Sequence, residues 1–144
     1  MLFFMQAGGQ SVEAVRVIRV AIVEDNTLLA KALVRRLGLE PDFQVGCVLE
    51  SAEGLSETVR NQSIDLVIID LSLSGVSSMD AIQTLTAECP ACKAVVFSGR
   101  TDEDTVEEAF RAGAWGYVFK HDDPKALIDA LRRVHAGEVV MPSV

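Results

Sequence analysis

Continuous apolar runs that end abruptly in acids constrain this chain more than any other feature. From Arg19 to Asp25 it reads Arg-Val-Ala-Ile-Val-Glu-Asp, and within the strand expected over Ile64–Asp70 the unbroken stretch Leu66-Val-Ile-Ile closes on a second carboxylate. A strand with one wet face alternates apolar and polar residues. An unbroken run instead predicts a strand buried on both faces, as in parallel sheets. Between these runs the apolar spacing changes to that of a helix: Leu28, Leu29, Ala32, Leu33 and Leu37 recur at three- and four-residue intervals around Lys31, Arg35 and Arg36.

The alternation continues along the chain. A strand is expected over Val45–Leu49, a helix around Leu55 and Val59, the strand ending at Asp70, a helix over Met79–Glu88 and a strand over Ala94–Ser98. Thr101 and Asp104 have capping-box spacing ahead of Val106, Ala109 and Phe110, and Gly113 supplies a left-handed stop. Trp115–Lys120 reads as the fifth strand. Pro124 then opens a helix with Leu127, Ala130, Leu131 and Val134 on one face, ended by Gly137. Five strands alternating with five helices imply right-handed crossovers and a three-layer α/β/α sandwich around a parallel sheet. The expected strand order, 2-1-3-4-5, is the flavodoxin-like one and rests on precedent for such folds.

At 144 residues the chain fits one domain with a substantial core. The expected division is an N-terminal extension over 1–16, a domain over 17–137 and the start of a linker over 138–144. Gly8 and Gly9 suggest a flexible tail, and Ser11–Arg16 a short extra turn. The net charge of −8 opposes nonspecific binding to nucleic acid or to an anionic membrane. No apolar run is long enough to span a bilayer, and Met1–Met5 lacks the cationic flank of a signal peptide, so a cytoplasmic protein is expected. Cys89 and Cys92 have redox-pair spacing, but no second pair completes a zinc site; they read as incidental loop and core residues, as does Cys47.

Ligands of open parallel sheets gather beyond the carboxyl ends of the strands. There the sequence offers Glu24 and Asp25, Asp70, Ser98 and Lys120. Three adjacent carboxylates repel one another and call for a cation. With only oxygen donors on offer, the set suits a hard ion such as Mg²⁺. Lys120 adds a point charge for a phosphoryl oxygen and Ser98 a hydrogen-bond donor, so a carboxylate nucleophile, a metal and a lysine suffice for phosphoryl transfer. Taken singly each has a plainer reading: solvated loop acids for Glu24 and Asp25, a turn acid for Asp70, turn chemistry for Ser98, a surface cation for Lys120. Their convergence favours the joint one.

Glu24-Asp25, Asp65-Leu-Val-Ile-Ile-Asp70, Val95-Val-Phe-Ser98-Gly99 and Ala112-Gly-Ala-Trp-Gly-Tyr-Val-Phe-Lys120 resemble, in order and spacing, the motifs of the CheY-like receiver domains of two-component response regulators. The likeness runs from about Arg19 to Gly137. It implies that Asp70 is phosphorylated by a histidine kinase or phosphotransfer protein and that Asp25 and Asp70 bind Mg²⁺. It further implies that Glu24 supports the metal through water and that the Ser72 carbonyl is a further ligand. Ser98 and Lys120 match the switch hydroxyl and lysine, and Tyr117 the aromatic that reports phosphorylation; without the family it would read as an ordinary strand aromatic. The implied output is a change of the surface formed by the fourth helix, fifth strand and fifth helix, through which a homodimer is plausible.

The chain departs from the family after Asp70. The usual Met-Pro-Gly-hydrophobic-Asp-Gly turn appears as Leu73-Ser74-Gly75-Val76-Ser77-Ser78, without the proline or the acid, and His121 stands where many receivers carry proline. The ending Ala130–Pro142 resembles the segment that leads into a LuxR-type helix-turn-helix domain, as in LuxR/NarL-type transcription regulators, which implies DNA binding only through an absent C-terminal domain. An excised piece and a natural single-domain receiver are both open. Two other classes compete with a phosphoacceptor switch. One is a pseudo-receiver serving as a phosphorylation-independent interaction scaffold, which the altered loop favours. The other is a small enzyme on the same layout: an aspartyl-phosphate phosphatase would need an aspartate where Ser72 stands, and a flavin protein would be yellow.

Overall fold

The computed structural model describes residues 16–142 in full and the backbone of 4–7 and 10–13. The main sheet holds β3 (Ile18–Val23), β4 (Phe43–Leu49), β5 (Leu66–Ile69), β6 (Lys93–Ser98) and β7 (Gly116–Phe119). Its order is β4-β3-β5-β6-β7 and every pairing is parallel. Counted within this sheet the order is 2-1-3-4-5, the flavodoxin-like arrangement expected. The connecting helices are α1 (Thr27–Gly38), α2 (Leu55–Gln62), α3 (Ser78–Glu88), α4 (Glu103–Ala112) and α5 (Pro124–His135).

The apolar runs are continuous because each strand feeds two cores. Ala21, Val23, Val67 and Ile69 pack with α2, α3 and α4, through Leu55, Val59, Ile82, Leu85, Val106 and Ala109. Ile18, Val20, Ile22, Leu66 and Ile68 turn the other way, onto Leu33 and Leu37 of α1 and Leu127, Leu131 and Val134 of α5. In the central stretches Val20–Val23 and Leu66–Ile69, all fully buried, a polar side chain would have no solvent face to occupy.

The cap of α4 differs from the sequence expectation. Asp102, not Thr101, is the N-cap: its carboxylate accepts from the Thr105 N–H at 3.1 Å and from the Thr105 hydroxyl at 2.6 Å. An ionised acceptor with two donors outcompetes a threonine hydroxyl for the free amides of the first turn. Gly113 ends α4 at φ 118°, where a side chain would be strained, and an added Cβ would collide with the Thr86 side chain. Asp123 caps α5 ahead of Pro124 by accepting from the Lys125 N–H at 2.9 Å.

The N-terminal expectation needs correction. In place of a tail and a turn, β1 (Phe4–Ala7) and β2 (Gln10–Glu13) form an antiparallel hairpin, so the described strands exceed the five expected. The expectation at Gly8 and Gly9 lies outside the described residues. As sequence, a Gly-Gly pair between two short runs is a hairpin signal, and it was open to that reading as well as to a flexible one.

Beyond α5, Gly137 at φ 96° reverses the chain. The Val140 N–H then donates to the Trp115 carbonyl at 2.8 Å, and the Tyr117 N–H donates to the Val140 carbonyl at 3.1 Å. Val140, buried in the α5-side core, thus bridges to the free edge of β7 in parallel.

Candidate functional site

The sheet ladder extends one residue past several strands and fixes the side chains that follow. The Glu24 N–H donates to the Leu49 carbonyl at 2.9 Å, the Asp70 N–H to Val23 at 3.1 Å, and the Lys120 N–H to Ser98 at 2.9 Å. Glu24, Asp70 and Lys120 are therefore placed with the precision of strands, although each lies just beyond one.

Lys120 Nζ stands 3.0 Å from Glu24 Oε1 and 3.0 Å from Asp70 Oδ2. Glu24 and Asp70 are buried, at 3% and 4% exposure, while Asp25 is open to solvent. One oxygen from each of Glu24, Asp25 and Asp70 can be chosen so that all lie within 4.8 Å of one another. Burial pushes the Glu24 carboxyl above its ordinary value, and the nearby Asp70 charge adds to this; the Asn26 N–H and Lys120 oppose it. For Lys120 burial works against the ammonium, but its hydrogen bonds to Asp70 and Glu24 outweigh that and raise its pKa. A cation already balances the two buried carboxylates, and exposed Asp25 leaves a side open to solvent. All three donors are hard oxygens, which fit Mg²⁺ and not a thiophilic metal.

Asp70 is held from several directions. Its Oδ1 accepts from the Ser72 N–H at 3.1 Å, and its carbonyl accepts from the Ser78 hydroxyl at 2.6 Å. Ser72 thus engages Asp70 through its backbone N–H.

Ser98 is fully buried, and its Oγ accepts from the Arg100 N–H at 3.1 Å. Tyr117 is also fully buried, and its hydroxyl donates to the Arg100 carbonyl at 2.7 Å. Burial raises the pKa of the Tyr117 phenol. The two switch candidates therefore meet through the backbone of Arg100, a residue the sequence reading did not single out. Ser78 was also missed as a functional residue; its only signal was that it stands where the family turn has glycine.

The remaining candidates lie elsewhere. Cys89 and Cys92 are free and buried, and burial pushes the Cys92 thiol up to about 12, which makes it a poor nucleophile or metal ligand. Cys47 is a free, partly buried strand residue. His121 is exposed and stacks on Phe119 with ring centroids 5.4 Å apart. Trp115 lies at the opposite end of β7 from Lys120, roughly 16 Å along the strand, with the Lys93 ammonium 4.6 Å from its ring centre. It is poorly placed to report on the carboxylates.

The family model of the response regulator receiver domain matches residues 20–132, most of the chain. The chain belongs to that family. Among curated relatives, this receiver is similar to the transcriptional regulatory protein DegU of Brevibacillus brevis, at 31% identity over 88% of this chain and 54% of that protein. It is similar also to the nitrate/nitrite response regulator NarL of Escherichia coli K12, at 27% over 85% of this chain and 56% of that protein. The first relatives are thus spanned over 54% to 60% of their length. Among solved structures, a two-component response regulator of the LuxR family from Aurantimonas sp. SI85-9A1 aligns with a TM-score of 0.82 at 26% identity. That alignment covers 87% of this chain and 89% of that one. The receiver is accordingly of the type found in LuxR/NarL-type two-component response regulators, and such domains act as switches and not as classical enzymes. Among the described residues, no helix is long and apolar enough to cross a membrane.

Proposed function

We propose that this receiver accepts a phosphoryl group on Asp70 from the phosphohistidine of a histidine kinase or phosphotransfer protein. The observation that carries the reading is the placement of Lys120 Nζ, 3.0 Å from both Glu24 and Asp70, beside exposed Asp25. Asp25 and Asp70 would hold Mg²⁺ directly, the Ser72 carbonyl would join them, and Glu24 would act through water. The ion, when bound, neutralises and orients phosphoryl oxygens. An Asp70 carboxylate oxygen attacks phosphorus; the new P–O bond forms as the P–N bond breaks, the bonding pair returns to nitrogen, and the phosphohistidine ring, protonated on its other nitrogen, leaves as neutral imidazole. Lys120 balances the charge on the transferred group.

Accepting from the Arg100 N–H leaves the Ser98 hydroxyl free to donate, and in the proposed switch the side chain rotates toward a phosphoryl oxygen and draws its Oγ away from that N–H. Arg100 then loses one of the contacts fixing its backbone, while its carbonyl is what holds Tyr117. A charge event at Asp70 thereby becomes a packing change on the face made by α4, β7 and α5. Dimerisation through that face, regulation of transcription through a DNA-binding domain further along the chain, and a cytoplasmic setting complete the reading. The division into an extension over 1–16, a receiver over 17–137 and the start of a linker from 138 belongs to it. The scaffold reading has one observation in its favour, the altered loop from Leu73 to Ser78.

Calorimetric Mg²⁺ titration separates the two. Asp25→Ala should weaken binding strongly and Glu24→Ala less, because an indirect ligand contributes through water. Equal losses would contradict these roles, and a wild-type protein that takes up no Mg²⁺ would favour the scaffold.

A further inference from the structure

The loop between β5 and α3 lacks the proline that usually stiffens it, and where the family turn ends in glycine this chain has Ser78. That hydroxyl is not serving the helix. Ser77 is the N-cap of α3, its Oγ accepting from the Asp80 N–H at 3.4 Å. The Ser78 hydroxyl instead points back and donates to the Asp70 carbonyl at 2.6 Å, from a side chain buried to 4% exposure. Asp70 is consequently fixed on both sides of its backbone, since its N–H is held by the Val23 carbonyl at 3.1 Å. The loop's mouth is closed by a side chain in place of a rigid ring. Inside that mouth lies the turn in which the Ser72 N–H reaches Asp70 Oδ1 at 3.1 Å.

We propose that Ser78 is a positioning residue of the phosphoacceptor site: its tether to the Asp70 carbonyl holds the Asp70–Ser72 turn in the geometry that metal binding requires. The inference rests on the phosphoacceptor reading. It turns the altered loop from a sign of decay into a substitute brace, in which a buried hydrogen bond replaces the restriction that proline supplies through the unfolded chain. A buried carbonyl deprived of its donor is left to water or to rearrangement, and the short turn beside it loosens first.

The test compares Ser78→Ala, Ser78→Gly and Ser78→Thr with the wild type in two measurements. In metal-free protein, amide exchange across 71–77, above all at Ser72, should quicken about fivefold in the alanine and glycine variants and stay near wild type in the threonine variant. Calorimetry should show Mg²⁺ bound about tenfold more weakly by the first two, again with threonine close to wild type. A helix-stability role alone would lower the melting point without moving the Mg²⁺ affinity. Wild-type exchange and affinity in Ser78→Ala would overturn the proposal, as would an equal loss in Ser78→Thr. Should Ser78→Ala not fold, Ser78→Gly, the residue usual in the family, gives the same two readings. If the wild type itself bound no Mg²⁺, the phosphoacceptor reading would fall while the exchange measurement still judged the tether.

Discussion

Lys120 balances two carboxylates that burial would otherwise set against each other. Replacing it with glutamine leaves Glu24 and Asp70 facing one another without a cation, and a buried charge that loses its partner is costly. Because Lys120 is itself partly exposed, the loss in the metal-free protein should be about 1–3 kcal/mol. Added Mg²⁺ should recover part of it by binding the folded state. Urea unfolding midpoints with and without the ion check this, and a midpoint unmoved by Lys120→Gln would contradict the charge balance. Glu24, Asp25, Asp70, Ser98 and Lys120 were legible in the sequence because each ends an apolar run, and parallel strands bring such ends together. Arg100 and Ser78 were not. Arg100 acts through its backbone, which carries no residue-type signal, and Ser78 acts across eight residues of loop, a closure that no periodicity reveals.

At the scale of elements, α5 is anchored by charge as well as by its apolar face. Arg132 donates to both Asp42 oxygens at 2.9 Å and to Glu40 Oε2 at 2.9 Å, in the connection between α1 and β4. The hydrogen bond from Arg132 holds the Asp42 carboxyl below its ordinary value, and bonds from Arg36 and Arg132 do so for Glu40. A carboxyl depressed in the folded state adds stability above its unfolded pKa, and that stability is lost as pH falls through the folded one. Arg132→Gln should therefore lower the unfolding midpoint at neutral pH, with the deficit shrinking to nothing as pH drops below the carboxylate range. A deficit that persisted at low pH would mean that packing of Arg132 over Phe43, 5.5 Å from the ring centre, was the larger effect. Elements with strong periodicity were read correctly to within about two residues. The antiparallel pairing of Phe4–Ala7 with Gln10–Glu13 was missed because these runs are too short for alternation to show, and the α4 cap was misplaced because Thr101 and Asp102 compete at adjacent positions.

On the scale of the whole molecule, the proposed route from the site to the α4, β7 and α5 face runs from a phosphoryl group on Asp70 to Ser98, and from there through the hydrogen bonds at the backbone of Arg100 to Tyr117. The path reaches one step further, since the Tyr117 N–H also holds the Val140 carbonyl at the edge of β7. Amide exchange with and without a beryllofluoride phosphate mimic should change over 97–112 and 115–120, and at Val140. Changes confined to the loop after Asp70 would sever the output coupling and leave the phosphoacceptor chemistry standing. Fold and family could be read from the run-and-helix alternation and its motifs; the path could not, because it depends on which way two buried hydroxyls turn. The central claim, that Asp70 is the phosphoacceptor, is tested most directly by intact mass after incubation with a small acyl phosphate and Mg²⁺, followed by peptide mapping. The wild type should gain a single phosphoryl increment, mapped to Asp70 and absent from a folded Asp70→Asn variant; an undiminished adduct in that variant, or none in the wild type, would contradict the account.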